Sequence, residues 1–202
     1  MHLPGERWRR FVLGMAVVAG VVALLAWRLP YAGIAVSEGP IHRANPHSSA
    51  LDMFKVGDRF TYGLNTVSIE GTGTATIKEV RVVGLDDGVR FLGAQLGGPN
   101  RRIGAWQILH TWPPRHPKTD PRPLHTPITS SSADPIEWEL FIGLEITEPG
   151  RFLIEGWRIT YEVNGRTYRH TIPARILICT RHEDGSPRKC PVPDPVRPKA
   201  RT

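Results

Sequence analysis

The stretch WRITYEVNGRTYRHTI at residues 157–172 decides the fold class. Apolar and polar side chains alternate along its first half, as expected of a strand that buries one face. The apolar positions are Trp157, Ile159, Tyr161 and Val163. Asn164-Gly165 then favours a two-residue hairpin turn, because both residues accept positive backbone φ angles. The sequence therefore predicts two long antiparallel strands joined by a tight turn.

Alternation of the same kind extends outward from this hairpin. In EWELFIGLEIT at residues 137–147, the apolar side chains share one face, while Glu139 and Glu145 share the other. We expect the apolar face to be core and the glutamate face to be solvated. Carboxylates two apart on a strand would also suit acid–base chemistry, but a solvated sheet face supplies them anyway. Further strands are predicted at residues 60–69, 74–84, 89–97, 103–112 and 174–179.

Six to eight short strands separated by turns, in about 130 residues, predict an all-β domain. The preferred arrangement is an antiparallel immunoglobulin-like β-sandwich over residues 54–190, preceded by a single N-terminal transmembrane helix. A small barrel is the alternative. An all-helical bundle is excluded, since 19 Pro and 20 Gly in 202 residues would interrupt long helices.

Two proline-rich segments interrupt or follow the strands. Residues 113–135 contain seven prolines and are predicted to form a long loop that cannot pair as a central strand. Such a loop buries little apolar surface, so we expect it to be dispensable for folding. Residues 191–202 form a proline-rich, basic tail that is expected to be extended.

The N-terminal residues predict a membrane anchor. Residues 11–27 are 17 uncharged, mostly apolar residues, which as a helix span about 25 Å. Three arginines lie in residues 1–10, so the positive-inside rule places that segment in the cytoplasm and the rest of the chain outside. Residues 28–53 are then an extracytoplasmic stalk. A cleaved signal peptide and a buried soluble helix are the alternatives, although no A-x-A cleavage site is present.

The charge distribution argues against nucleic acid as a partner. The formal net charge is +7 and the isoelectric point is near 9.9. Residues 1–28 and residues 181–202 each carry a net charge of +3, which leaves +1 for the residues between them. The basicity therefore lies at the two ends, and the folded body is nearly neutral in sum.

The two cysteines, Cys179 and Cys190, predict a disulfide. The segment between them, TRHEDGSPRK, is polar and rich in turn-forming residues, so its ends can meet. A bridge of this loop size stabilises a domain by about 3 kcal/mol in the chain-entropy model. A two-thiolate metal site or a redox pair is the alternative, but those sites generally use C-x-x-C spacing.

The sequence contains none of the common catalytic or nucleotide-binding motifs. We therefore assign no catalytic residue and no cofactor. His110, His116 and His125 lie in or beside the proline-rich loop and are weak candidates for a metal site, because imidazole binds copper and zinc. A solvated polar loop explains them equally. The same alternatives apply to four arginines that could meet anionic polymers or lipid headgroups, Arg101, Arg102, Arg115 and Arg122.

Two blocks carry a resemblance to a family of proteins. FTYGLNTVSIEGTGTATIKEVRVVGLDDGVRFLGA at residues 60–94 and GWRITYEVNGRTYRHTIPARILIC at residues 156–179 resemble the uncharacterised membrane-anchored or secreted immunoglobulin-like proteins of actinobacteria. The excess of 21 Arg over five Lys fits a GC-rich genome. The resemblance implies a fold and an extracytoplasmic location, and it brings no activity. The proline-rich insertion at residues 113–135 departs from it.

The functional expectation is a single-pass membrane protein with a non-enzymatic, extracytoplasmic domain. It would serve as an interaction or structural module of the cell envelope, and its partner would be an envelope protein or an anionic cell-wall polymer. The alternative is an extracytoplasmic metal-binding or enzymatic domain that uses the histidine-bearing loop. Metal content with and without the three histidines distinguishes the two.

Overall fold

The computed structural model describes the chain over eight ranges: residues 39–42, 47–69, 73–98, 108–116, 118–130, 138–182, 184–186 and 188–194. Within these ranges no helix is long and apolar enough to cross a membrane. The anchor predicted at residues 11–27 and the cytoplasmic segment predicted at residues 1–10 both lie outside the described residues. All described residues belong to one unit, Ser37–Thr202.

The described residues form eleven β-strands. They are β1 Ile41–His42, β2 His47–Phe54, β3 Arg59–Ile69, β4 Gly73–Val83, β5 Val89–Gly97, β6 Ile108–Leu109, β7 Pro121–Arg122, β8 Ile128–Ser130, β9 Trp138–Ile146, β10 Arg151–Val163 and β11 Arg166–Thr180. The prediction of an all-β domain is confirmed.

The strands form two sheets that share one core. The six-stranded sheet has the order β1-β3-β9-β5-β7, and β6 also pairs with β3. The five-stranded sheet has the order β2-β11-β10-β4-β8. Apolar side chains of both sheets meet in a single buried cluster, in which Tyr62 of β3 contacts Trp157 of β10.

The predicted hairpin is present between β10 and β11. Val163 pairs with Arg166, and the two turn residues Asn164 and Gly165 have φ angles of 50° and 74°. Both values are positive, as a two-residue turn of this kind requires. The hairpin supplies the two longest strands of the domain, with 13 and 15 residues.

The predicted immunoglobulin-like sandwich of six to eight antiparallel strands is wrong. β2 lies parallel to β11, from His47 opposite Ala174 to Phe54 opposite Thr180, so the five-stranded sheet is mixed. Two of the short strands, β7 and β8, come from the segment predicted to be a loop. Alternation along a strand identifies its buried face but not its partner, and that partner decides the sheet order.

The predicted proline-rich loop contributes two edge strands, and Pro121 lies in one of them. Within the described ranges, β7 pairs only with β5, and β8 pairs only with β4. An edge strand tolerates proline because one row of its amide positions makes no ladder hydrogen bond. The described part of this segment therefore contributes a strand to each sheet.

The folded part begins before residue 54. β1 and β2 both fall in the range predicted to be a stalk, residues 28–53. Leu51 and Phe54 of β2 are buried in the core. The sequence did not predict this strand because the region has few apolar residues, and only three positions of β2 are buried.

The disulfide between Cys179 and Cys190 is present, which confirms its prediction. It joins the end of β11 to the chain that follows. Beyond it, the carbonyl oxygen of Asp194 accepts hydrogen bonds from Ser48 of β2 and Arg175 of β11, both at 3.4 Å. The first part of the predicted tail therefore lies against the five-stranded sheet.

Candidate functional site

The outer face of the six-stranded sheet, on the side away from the core, is covered by the protein's own chain. β6 lies beside β3 at one edge, and β7 lies beside β5 at the other. Between them the chain places the Trp112 ring over Gly143 of β9 and near Gly93 of β5. The Thr61 hydroxyl donates a hydrogen bond to the Thr111 carbonyl oxygen at 2.6 Å, which fixes this crossing to β3.

The expectation that Glu139 and Glu145 lie on a solvated face is therefore wrong. Every residue of β9 is buried, on both faces. Phe141 and Glu139 on the outer face are 0% exposed, and Glu145 is 8% exposed. Gly143 leaves the space that the Trp112 ring occupies, because a Cβ atom there would overlap the indole.

The Glu145 carboxylate binds one arginine on each of the two strands that flank β9. It lies opposite Arg59 of β3 and opposite Arg90 of β5 in the ladder. Its carboxylate accepts from the Arg90 Nε at 3.1 Å and from the Arg59 Nη2 at 3.4 Å. The hydrogen bond from Arg90, together with the charge of Arg59, lowers the pKa of Glu145. The group stays ionised and links the two arginines in an ion cluster with a net charge of +1, which is a structural role.

Glu139 is bound to a bulge in β3. Its Oε1 accepts a hydrogen bond from the Leu64 amide at 3.0 Å. Leu64 has a φ angle of 65°, a left-handed conformation that is rare for a non-glycine residue. The β3–β9 register shifts at this point, between Tyr62 and Asn65. The buried carboxylate thus satisfies backbone that the bulge takes out of the ladder.

The Asn65 side chain connects the bulge in β3 to the core. Its side-chain oxygen accepts a hydrogen bond from the Trp157 indole at 2.7 Å, and its amide donates to the Gly63 carbonyl oxygen at 3.0 Å. Trp157 belongs to the opposite sheet and is fully buried. This contact joins the two sheets by a buried polar bond.

A second polar cluster lies between β2 and β3. The Tyr62 hydroxyl is 2.8 Å from the His47 Nε2 and 3.1 Å from the Ser49 hydroxyl. Burial raises the pKa of Tyr62 to about 12, against which the hydrogen bond with Ser49 acts. An activated tyrosine needs a lowered pKa, so Tyr62 remains a neutral phenol that satisfies its buried neighbours.

The three candidate histidines are not brought together. His125 places its Nδ1 2.9 Å from the Ile77 carbonyl oxygen, and the His110 ring is tilted against Phe54. The Nδ1 of His116 accepts a hydrogen bond from the Lys118 amide at 3.2 Å. In the described part of the chain, no three His, Cys, Asp or Glu side chains converge as a metal site would require.

A groove near the disulfide is a concave surface of the described residues, and several polar side chains line it. Its volume is about 690 Å³, within the range of ligand sites. The lining residues come from the turn between β9 and β10 and from the segment after β11: Pro149, Gly150, Arg181, His182, Asp184, Ser186 and Arg188. The lining residues include two arginines and one carboxylate.

The groove, which we call the disulfide groove, is held by its own hydrogen bonds. The Gly150 amide donates to the Thr180 hydroxyl at 2.8 Å, and the Arg188 Nε donates to the Thr180 carbonyl oxygen at 3.3 Å. Asp184 accepts from both the hydroxyl and the amide of Ser186, and these bonds lower the pKa of Asp184. The groove was missed in the sequence because its two walls are about thirty residues apart.

Comparisons with known proteins do not identify a family. The sequence matches no protein-family model and no curated protein. One solved structure that the fold resembles is that of the Vibrio cholerae VesB protease, with a TM-score of 0.31 and 9% sequence identity. The match covers 71% of this chain and 32% of the protease chain, so this chain spans about a third of that protein's length.

Proposed function

We propose that this protein is a membrane-anchored, extracytoplasmic binding module that presents the disulfide groove to a partner protein of the cell envelope. The observation that carries the proposal is the groove itself, which is lined by Arg181 and Arg188 and held by the hydrogen bonds of Thr180 with Gly150 and Arg188. Preformed concave sites with few convergent polar groups are typical of binding surfaces. Two arginines against one carboxylate favour acidic groups on the partner.

The location is supported by the sequence and by the disulfide. The apolar residues 11–27 with preceding arginines favour an anchor whose C-terminal side is outside the cytoplasm. Disulfides persist in oxidising compartments and are rare in the cytosol. A non-enzymatic role is supported by the polar clusters, since Glu139, Glu145 and Tyr62 are each engaged in holding the fold.

The alternative, a metal-binding or enzymatic domain on the proline-rich loop, has weaker support. His125 bonds a backbone carbonyl oxygen at one ring nitrogen, and His110 packs against an aromatic ring. A metal site needs ligands in a fixed common geometry.

The proposal is tested by photocrosslinking in intact cells. A photoreactive amino acid replaces Arg181 in the groove or, as a control, Thr129, an exposed residue of β8. We expect a discrete adduct from position 181 that is absent from position 129 and is lost when Arg188→Glu is added. Identical adducts from both positions, or an adduct that persists with Arg188→Glu, would contradict the proposal.

A further inference from the structure

The charge of the domain is concentrated on one sheet. The three long strands β4, β10 and β11 together contain seven Lys or Arg residues and only three Glu. The three long strands of the other sheet, β3, β5 and β9, contain two Arg and two Glu. The long strands of one sheet are therefore neutral in sum, and those of the other carry a net charge of +4 (seven basic minus three acidic residues).

Like charges face each other on the cationic sheet. Arg158 of β10 lies directly opposite Arg81 of β4, and both are exposed. Arg158 is also diagonal to Arg169 of β11, since Arg158 pairs with Thr171 and Thr160 pairs with Arg169. Directly opposed like charges on a sheet are destabilising. We call Arg81, Arg158 and Arg169 the arginine row.

Acidic neighbours compensate only part of this charge. Arg81 pairs with Glu79 at 2.7 Å, and Lys78 pairs with Glu162 at 3.1 Å. In the described ranges, no carboxylate pairs with Arg158 or Arg169. The uncompensated guanidinium groups are open to solvent and offer the paired N–H donors that phosphate and carboxylate oxygens accept.

The C-terminal tail leads to the same face. The Asp194 carbonyl oxygen accepts hydrogen bonds from Arg175 of β11 and from Ser48 of the neighbouring strand. The sequence after Asp194 contributes three basic residues, Arg197, Lys199 and Arg201, and no acidic one. Asp194, which precedes this basic segment, therefore lies at the same sheet as the arginine row.

We propose that the arginine row binds a linear polyanion, a soluble or wall-attached polymer that carries repeated phosphate or carboxylate groups. The arginines lie on adjacent strands about 5 Å apart, so successive anionic groups of one polymer meet successive guanidinium groups. A bilayer surface fits less well, since strands β4, β10 and β11 have no large exposed apolar residue to insert; the exposed ones described are Met53, Val56 and Val192. This surface differs from the disulfide groove, and the inference does not depend on it.

The test measures binding of fluorescent long-chain polyphosphate and fluorescent polyglutamate to the full chain in a neutral detergent, by anisotropy. The double variant Arg158→Glu, Arg169→Glu is expected to weaken the binding of at least one polymer tenfold or more and to reduce the salt dependence of that binding. The polymer that responds identifies the anionic group. Lys55→Glu with Lys118→Glu, two exposed lysines outside the cationic sheet's long strands, is the matched double control and should change affinity less than twofold.

Two further variants keep the test decisive. Arg158→Lys with Arg169→Lys retains the charge and should retain affinity within about threefold, and it shows that any loss in the glutamate variant is electrostatic. Arg181→Glu in the disulfide groove should weaken polymer binding far less than the glutamate variant of the arginine row, which separates this inference from the proposed function. An equal loss with Lys55→Glu and Lys118→Glu, binding of inorganic phosphate as tight as that of the polymer, or stronger competition by phosphatidylglycerol nanodiscs would each overturn the proposal.

Discussion

The two sheets of this domain share one core, but their outer faces differ. On the six-stranded sheet, the described residues between β6 and β7 cross the outer face, Trp112 covers Gly143, and Glu145 binds two arginines. On the five-stranded sheet, the arginine row stays open to solvent. The covered face contributes stability, whereas the open face carries opposed like charges that cost stability. Binding is therefore to be sought on the open sheet and at its disulfide end.

The largest loss of stability is expected from filling the space at Gly143 that the Trp112 ring occupies. Gly143→Val places a branched side chain where the Trp112 ring lies, so the crossing segment must lift from the sheet. Overpacking and the loss of buried indole surface together should cost about 4 kcal/mol of unfolding free energy. Chemical denaturation of the full chain in neutral detergent measures this loss.

Gly73→Ala is the matched control for that substitution. A Cβ atom at Gly73 meets only Val163, at the ordinary contact distance of 3.9 Å. Its unfolding free energy should stay within about 0.5 kcal/mol of the parent. A Gly143→Val protein as stable as the Gly73→Ala protein would show that Trp112 does not cover this face.

The next effect concerns the open sheet, where the disulfide ties the tail to β11. Replacing Cys179 and Cys190 by alanine should lower the unfolding free energy by about 3 kcal/mol, in the range for native disulfides. It should also loosen the walls of the disulfide groove. Denaturation compares this variant with the parent. Loss of stability without loss of the groove adduct would assign the disulfide a purely structural role.

Much of the fold was predictable from local patterns, and much of the surface was not. The Asn164-Gly165 turn and the Cys179–Cys190 bridge depend on nearby residues, so the sequence indicates them directly. The prediction of a solvated outer face for β9 is wrong because apolar and polar residues alternate in the same way whether water or another segment of the chain covers that face. Residues 113–135 were expected to be dispensable, yet they supply β7, β8 and the buried Ile128.

The candidate surfaces depend on contacts between distant parts of the chain. The disulfide groove requires the turn at Pro149-Gly150 to meet residues 181–188. The arginine row requires the register that sets Arg81 opposite Arg158, and a bulge shifts that register by one residue between Thr160 and Tyr161. Neither contact is encoded in the spacing of residues along one strand.

A smaller effect is expected where the two sheets are joined. Asn65→Ala removes the acceptor of the Trp157 indole and leaves a buried donor without its partner. The expected cost is about 2 kcal/mol. Trp157→Phe in the same background should add less than its own effect in the parent, because the shared bond is already lost. Additive losses in this double-mutant cycle would show that the bond does not couple the sheets.

The smallest effect is the acid dependence of the ion cluster that Glu145 forms with Arg59 and Arg90. Because Arg90 and Arg59 lower the pKa of Glu145 in the folded state, its contribution to stability is present above the unfolded value, about 4.3, and is lost as the pH falls through the lower folded value. Glu145→Gln should therefore lower the melting temperature at pH 7, and the two proteins should converge once the pH falls below the lowered folded pKa of Glu145. Glu162→Gln removes the exposed pair with Lys78 on the open sheet and should leave the melting temperature nearly unchanged throughout, as surface ion pairs contribute little. Equal pH profiles for the two variants would mean that the covered face protects its ion pairs no better than the open one.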